Sequence, residues 1–251
     1  MSTHFDTETS TIVKTAHINA DADADPSAIT DQVVSRSALV EWLARPHAPL
    51  SFEQCRFDGA DLSGLDLGGA RFLECTFAET RFEKALLADS RWLDCKARQA
   101  DFSLADLSNA RFCSSDLNNT RWTRARLSSA LFTEAKLTGA VFNEAVTLGL
   151  EFHQCRLVGA DLRGLSFRKR SLEQLDLSEA DVAGCDFRDA VFEGGSLRDA
   201  NLKNARFDGA DLRSVDLGGL TVAMVAQSFR GAMLSMDQAA VLIGSLGVRI
   251  C

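Results

Sequence analysis

The chain has three prolines, no tyrosine and no apolar run approaching the roughly 18 residues of a membrane span. Scarce proline excludes collagen-like and proline-rich classes, and no membrane contact is expected. The N-terminus, Met1-Ser2-Thr3-His4-Phe5-Asp6, lacks a basic start followed by an apolar stretch, so no secretory signal is read and the expected compartment is cytoplasmic. Seven cysteines include no Cys-x-x-Cys pair and no Cys/His set with zinc spacing. His4, His17, His47 and His153 are scattered, none at motif spacing from a nucleophile or carboxylate. Phosphate-cradling glycine loops are also missing. No catalytic residue, metal ligand or cofactor site is therefore assigned, and the chain does not read as an enzyme.

A surplus of positive charge is absent too. The net charge of −8 argues against direct nucleic-acid binding. It is spread unevenly: residues 1–50 carry seven acids and three bases (−4), residues 51–222 carry 27 and 22 (−5), and residues 223–251 carry one and two (+1).

What the sequence does have is a five-residue frame. From Phe52 to Val222 every fifth residue is large and apolar except Ala97 and Thr147. Two places before each large residue stands a small or thin one, as at Ala60, Cys75, Thr80, Ser90 and Ala200. Between them Asp or Asn recurs, as in Ala60-Asp61-Leu62 and Ala200-Asn201-Leu202. A period of five fits neither a helix nor a strand. It suits a chain that turns a corner every five residues, so that four sides close a square coil of 20. At that spacing Cys55, Cys75 and Cys95 stack, as do Phe52, Phe72, Trp92, Phe112 and Phe132. The columnar cysteines, with Cys155 and Cys185, read as core fillers.

The repeat resembles that of the pentapeptide-repeat family, Ala-(Asp/Asn)-Leu-x-x, over residues 50–222. The resemblance implies an all-β fold, a right-handed quadrilateral β-helix with a short capping helix at each end, and a one-dimensional stack of coils.

Three departures stand out. Ala97 follows Trp92 and reads as volume compensation. Val146-Thr147-Leu148 puts apolar residues where outward polar ones belong, which fits a kink or a junction between blocks. Arg170 occupies an inward small slot and is expected to turn outward.

Outside the rod, residues 1–33 read as a disordered acidic arm containing Ala20-Asp21-Ala22-Asp23-Ala24-Asp25-Pro26. Residues 34–49 read as a capping helix, capped by Ser35 or Ser37, with Ala38, Leu39, Trp42 and Leu43 on one face. After Val222 the frame stops, and residues 223–251 read as a module built on a helix from Ser235 to Gly247 with a short terminal strand after it. Its residues Met236, Ala239, Ala240, Leu242, Ile243 and Leu246 exceed what one rod end needs, so they are read as a dimer interface. Arg230 to Ala240, followed by Leu246-Gly247-Val248, resembles the C-terminal module of gyrase-protecting members, the Qnr-type and MfpA-type fluoroquinolone-resistance proteins. That resemblance implies a homodimer and a partner such as DNA gyrase or topoisomerase IV, bound by mimicry of duplex DNA. A structural scaffold or effector unrelated to gyrase is the alternative.

For either partner class the outer surface carries the function. Arg71, Arg91 and Arg111 form a basic ladder. Asp161, Asp176, Asp181, Asp186, Asp199, Asp211 and Asp216 are the candidate acidic binding face, interleaved with arginines. Outward residues such as Asn118 are expected to be silent in stability.

Overall fold

The computed structural model describes residues 28–44 and 49–249. Its body is a parallel solenoid in which each coil pairs with the next at an offset of 20: Ser51 with Arg71, Phe72 with Trp92, Arg111 with Leu131. Strands mark one side of each coil: β1 (Ile29–Thr30), β2 (Ser51–Glu53), β3 (Arg71–Leu73), β4 (Arg91–Leu93), β5 (Arg111–Cys113), β6 (Leu131–Thr133), β7 (Glu151–His153), β8 (Ser171–Glu173) and β9 (Val191–Glu193). We name the four sides of a coil after Phe52, Phe57, Leu62 and Leu67, whose side chains all point into the core.

Local chemistry explains the period. The residue two past each large one lies in the left-handed region, from Glu74 (φ 52°) to Leu104 (φ 61°) and Gly59 (φ 66°). No β-branched residue occupies that slot from 54 to 219, because such side chains tolerate positive φ worst. The Asp before each large residue accepts the backbone N–H two residues on, as Asp61 does from Ser63 (3.0 Å), Asp101 from Ser103 (2.9 Å) and Asp216 from Gly218 (2.9 Å). These carboxylates close the corner, as Asx turns do.

Inside, rings stack in columns. Phe112 and Phe132 lie 4.9 Å apart at 6°, and Phe102 and Trp122 lie 4.4 Å apart at 3°. The two columns meet edge-to-face, Phe112 on Trp122 at 84°. Cys55, Cys75, Cys95, Cys155 and Cys185 are free and buried, as expected of fillers, and burial pushes the thiols of Cys75, Cys155 and Cys185 up to about 12.

The Thr147 region is a junction. Parallel pairing runs unbroken from β1 to β7, while β8 and β9 form a separate sheet. Bridges join Arg126 to Val146 and Ser166 to Asp186, but among the described residues none joins Val146 to Ser166. Bulk explains it: Leu150 and Arg170 stand in a column otherwise filled by Ser90, Ala110, Ala130 and Ala190, and Thr147 leaves its own column short beneath Phe167. A cavity of about 160 Å³ opens between Leu150, Phe152, Phe167 and Leu172. Arg170 turns outward as expected and donates to Glu151 at 2.9 Å. Leu148 is 82% exposed.

Both ends use one device, a coil with a helix let into it. Helix α1 (Arg36–Leu43) is capped by Ser35 and buries Leu39, with Trp42 set 6.0 Å from Phe52. The chain before it belongs to the stack: Ile29 pairs with Phe52, Val33 with Arg56, and Val34 is buried. This corrects the expected boundary at 33, because a parallel edge strand and a buried valine hold residues 29–34 on the first coil. Residues 1–27 of the expected arm lie outside the described residues.

At the other end Val222 is not an inward rod residue but opens helix α2 (Val222–Ser228), which the sequence reading did not foresee. The frame then resumes two residues out of phase. Phe229 is buried and stacks on Phe207 at 4.5 Å, and Asp211 bridges Met233 at an offset of 22. Helix α3 (Met236–Gly244) follows, with Ser235 and Gln238 forming a capping box. Gln238 Nε2 donates to the carbonyls of Leu212 (2.8 Å) and Val215 (2.7 Å), pinning the helix to the last coil. The expected terminal strand is not formed at Val248–Arg249. No described helix is long and apolar enough to cross a membrane.

Candidate functional site

Two outer surfaces compete for the functional role, the acids of the later coils and the exposed face of α3. The seven candidate aspartates do not make one face. Asp211 lies on the Phe52 side, Asp176 and Asp216 on the Phe57 side, Asp161 and Asp181 on the Leu62 side and Asp186 on the Leu67 side, as the offset-20 ladders require. Asp199 sits at a corner with φ 55°.

Most of them are also neutralised. Arg163 Nε and Nη2 donate to the two oxygens of Asp161 at 2.8 and 2.6 Å. Arg188 does the same for Asp186 (2.8 and 2.6 Å), and Arg213 for Asp211 (2.9 and 2.6 Å). Each pair is an Asp-x-Arg unit in which the two side chains leave the same face of one strand. Arg198 grips Asp216 at 2.9 and 3.1 Å. Asp176 lies 3.8 Å from Arg156, and Asp181 lies 3.7 Å from Arg163. The forked hydrogen bonds from arginine hold the carboxyls of Asp161 and Asp211 below the usual range, and that of Asp186 at about 2. Among the described residues, only Asp199 of the seven has no cation within 4 Å. The reading of these residues as an acidic binding face is thus corrected: their placement is set by the corner-closing role, and arginines cancel them.

The α3 surface is different. Met236 is 86% exposed, Val241 75%, Leu246 62% and Ile243 44%. Ala239 and Ala240 are half-buried. Leu242, placed with these residues by the sequence, instead faces its own rod end and is 9% exposed. Between α3 and the last coil runs a groove of about 430 Å³, bordered by Leu217, Leu220, Val241 and Leu242 with Arg198 and Asp237. The signal for this surface was legible, since a nearly all-apolar helix cannot bury every side against one coil. The helical α2 was harder to read, because Val222 keeps the five-residue frame while Thr221 caps the helix that replaces the next side.

Comparisons with known proteins follow the geometry. The family model described as Pentapeptide repeat region matches residues 50–122, and that described as Pentapeptide repeats matches 105–143, 155–194 and 183–219. The unmatched gap falls on the junction. The fold is similar to full-length QnrB1, a plasmid-mediated fluoroquinolone resistance protein, with TM-score 0.61 and 21% identity over 88% of this chain and 97% of that one. A trypsin-treated QnrB1 variant gives TM-score 0.54 and 23% identity, over 89% and 98% of the two chains. HetL, a pentapeptide repeat protein from the cyanobacterium Nostoc, gives TM-score 0.42 and 21% identity over 79% and 94%. No curated protein matches the chain. Period, coil geometry and family models agree: the chain belongs to the pentapeptide-repeat family.

Proposed function

We propose that the protein is a non-catalytic cytoplasmic rod that pairs end to end through α3 and binds a type II topoisomerase, DNA gyrase or topoisomerase IV, in place of a DNA segment. In that role it protects the enzyme from, or modulates it against, inhibitors such as fluoroquinolones. The observation that carries this reading is the apolar face of α3 at the tip of a straight stack. The coils from Phe52 to Val222 give a rod of roughly 40 Å at ~4.8 Å per coil. Two rods joined at α3 reach roughly 80–100 Å, on the order of 25 base pairs at ~3.4 Å each. The fold likeness to QnrB1 supports the same partner. Because arginines cancel most aspartates, the imitation rests on the shape and length of the rod more than on dense negative charge.

That cancellation favours a second reading, a scaffold whose partner is unrelated to gyrase. Supercoiling by purified gyrase, with and without a fluoroquinolone, separates the two. The first reading expects added protein to restore supercoiling in the drug's presence or to inhibit it in its absence. Unchanged supercoiling in both arms favours the scaffold.

A further inference from the structure

We propose that the ladder Arg71–Arg91–Arg111 is the docking face for the chain's own acidic segment Ala20–Pro26. These three arginines stand directly opposite one another on β3, β4 and β5 and are exposed. At about 4.8 Å per rung, like charges stacked this way repel. Elsewhere on the rod the repulsion is relieved by alternation. Arg81 faces Asp61, Arg121 faces Asp101, and Arg126 faces Asp106, each within 4.0 Å. Arg91 and Arg111 make no ion pair with any described residue, and the one carboxylate close in sequence is the exposed Asp89.

The register says what reaches the ladder. Ile29 pairs with Phe52 and Ser51 pairs with Arg71, so the described chain begins, at Ala28, level with Ser51 at the head of the arginine column. The preceding residues leave the rod at that corner. From Ser27 back to Asp21 an extended chain covers roughly 20 Å at ~3.3 Å per residue. From Ser51 to Arg111 the ladder covers roughly 15 Å, three rungs of ~4.8 Å. The lengths match. The sequence of the segment fits as well: Asp21, Asp23 and Asp25 alternate with alanines, so an extended chain presents all three carboxylates on one face with small residues between. Pro26 disfavours a helical conformation at Asp25. With the segment in place, the longest run of like positive charge on the rod is covered, which keeps that face from non-specific polyanions.

The test uses the full-length protein and backbone amide relaxation of Asp21, Asp23 and Asp25. In low salt these amides should show order parameters near those of the rod, about 0.8, and should fall below about 0.6 in high salt. Charge reversal by Arg91→Glu with Arg111→Glu should release them without altering the rod's own amide spectrum. Adding Asp21→Arg, Asp23→Arg and Asp25→Arg to that variant should restore order, which a merely local stiffness would not do. Amides that are mobile in the wild type at low salt, or ordered but indifferent to the reversal, would overturn the proposal.

Discussion

Trp122 Nε1 donates to Thr120 Oγ1 at 2.8 Å inside the fully buried interior, and Trp92 Nε1 meets Ser90 Oγ at 2.9 Å in the same way. Both tryptophans of the rod are thus preceded, two residues earlier, by a hydroxyl in the small slot. A buried indole N–H without an acceptor costs about 1–3 kcal/mol. Thr120→Val should therefore lower stability by about that amount, although it keeps shape and volume. Chemical denaturation of the two proteins checks it, and equal midpoints would contradict the pairing.

Phe112 stacks between Trp92 and Phe132 and is buried, so Phe112→Ala should cost about 3–5 kcal/mol. Asn118 is not silent. Its Oδ1 accepts the Thr138 N–H of the next coil at 2.9 Å, so Asn118→Ala should cost about 1 kcal/mol. Urea melts of both variants give the two values.

Gly195 stands in the small slot, where Ala is the commonest residue. Its φ is +84°, and a Cβ there would strike the backbone of Leu175. Gly195→Ala, a change toward the repeat's own consensus, should destabilise by more than about 2 kcal/mol. Gly64→Ala, with open space around it and φ +68°, should lose about 1–2 kcal/mol from strain alone. A stabilised Gly195→Ala variant, measured by thermal melting, would contradict the geometry.

Asp186 is held at about 2 chiefly by the forked hydrogen bonds of Arg188. A carboxyl lowered in the folded state contributes stability that is complete above its unfolded value, near 4, and is lost as pH falls toward 2. The stability gap between wild type and Asp186→Asn should therefore be constant above about pH 5 and narrow between about pH 4 and pH 2. Denaturation series at pH 6, 4 and 3 follow it. A gap that widens on acidification would contradict the pairing.

Much of the fold is visible in the primary structure because a solenoid repeats its physics. The large and small slots, the coil of 20, the capping Ser235 and the outward turn of Arg170 all follow from side-chain size and charge at a fixed period. Elements that break the period are less legible. Helix α2 hides inside it, since Val222 satisfies the frame while Thr221 caps a helix. Phe229 and Leu234 resume the frame two residues out of phase, so a strict count by five misses them. Charge is the hardest to read. Asp161 and Asp181 do stack, but only coordinates show that Arg163 lies against both. Composition cannot tell an aspartate that closes a corner from one offered to a partner.

Sedimentation of the wild type and of Met236→Asp with Ile243→Lys tests the end-to-end rod most directly. These two side chains are exposed on α3, whereas Leu242 closes the protein's own core, so a charge there would undo the cap instead. Burying the patch across a two-fold contributes about 1.5–3 kcal/mol for each large side chain fully covered. The account predicts a dimeric wild type and a folded, monomeric double variant that no longer affects gyrase supercoiling. A monomeric wild type, or a double variant that still sediments as a dimer, would contradict it.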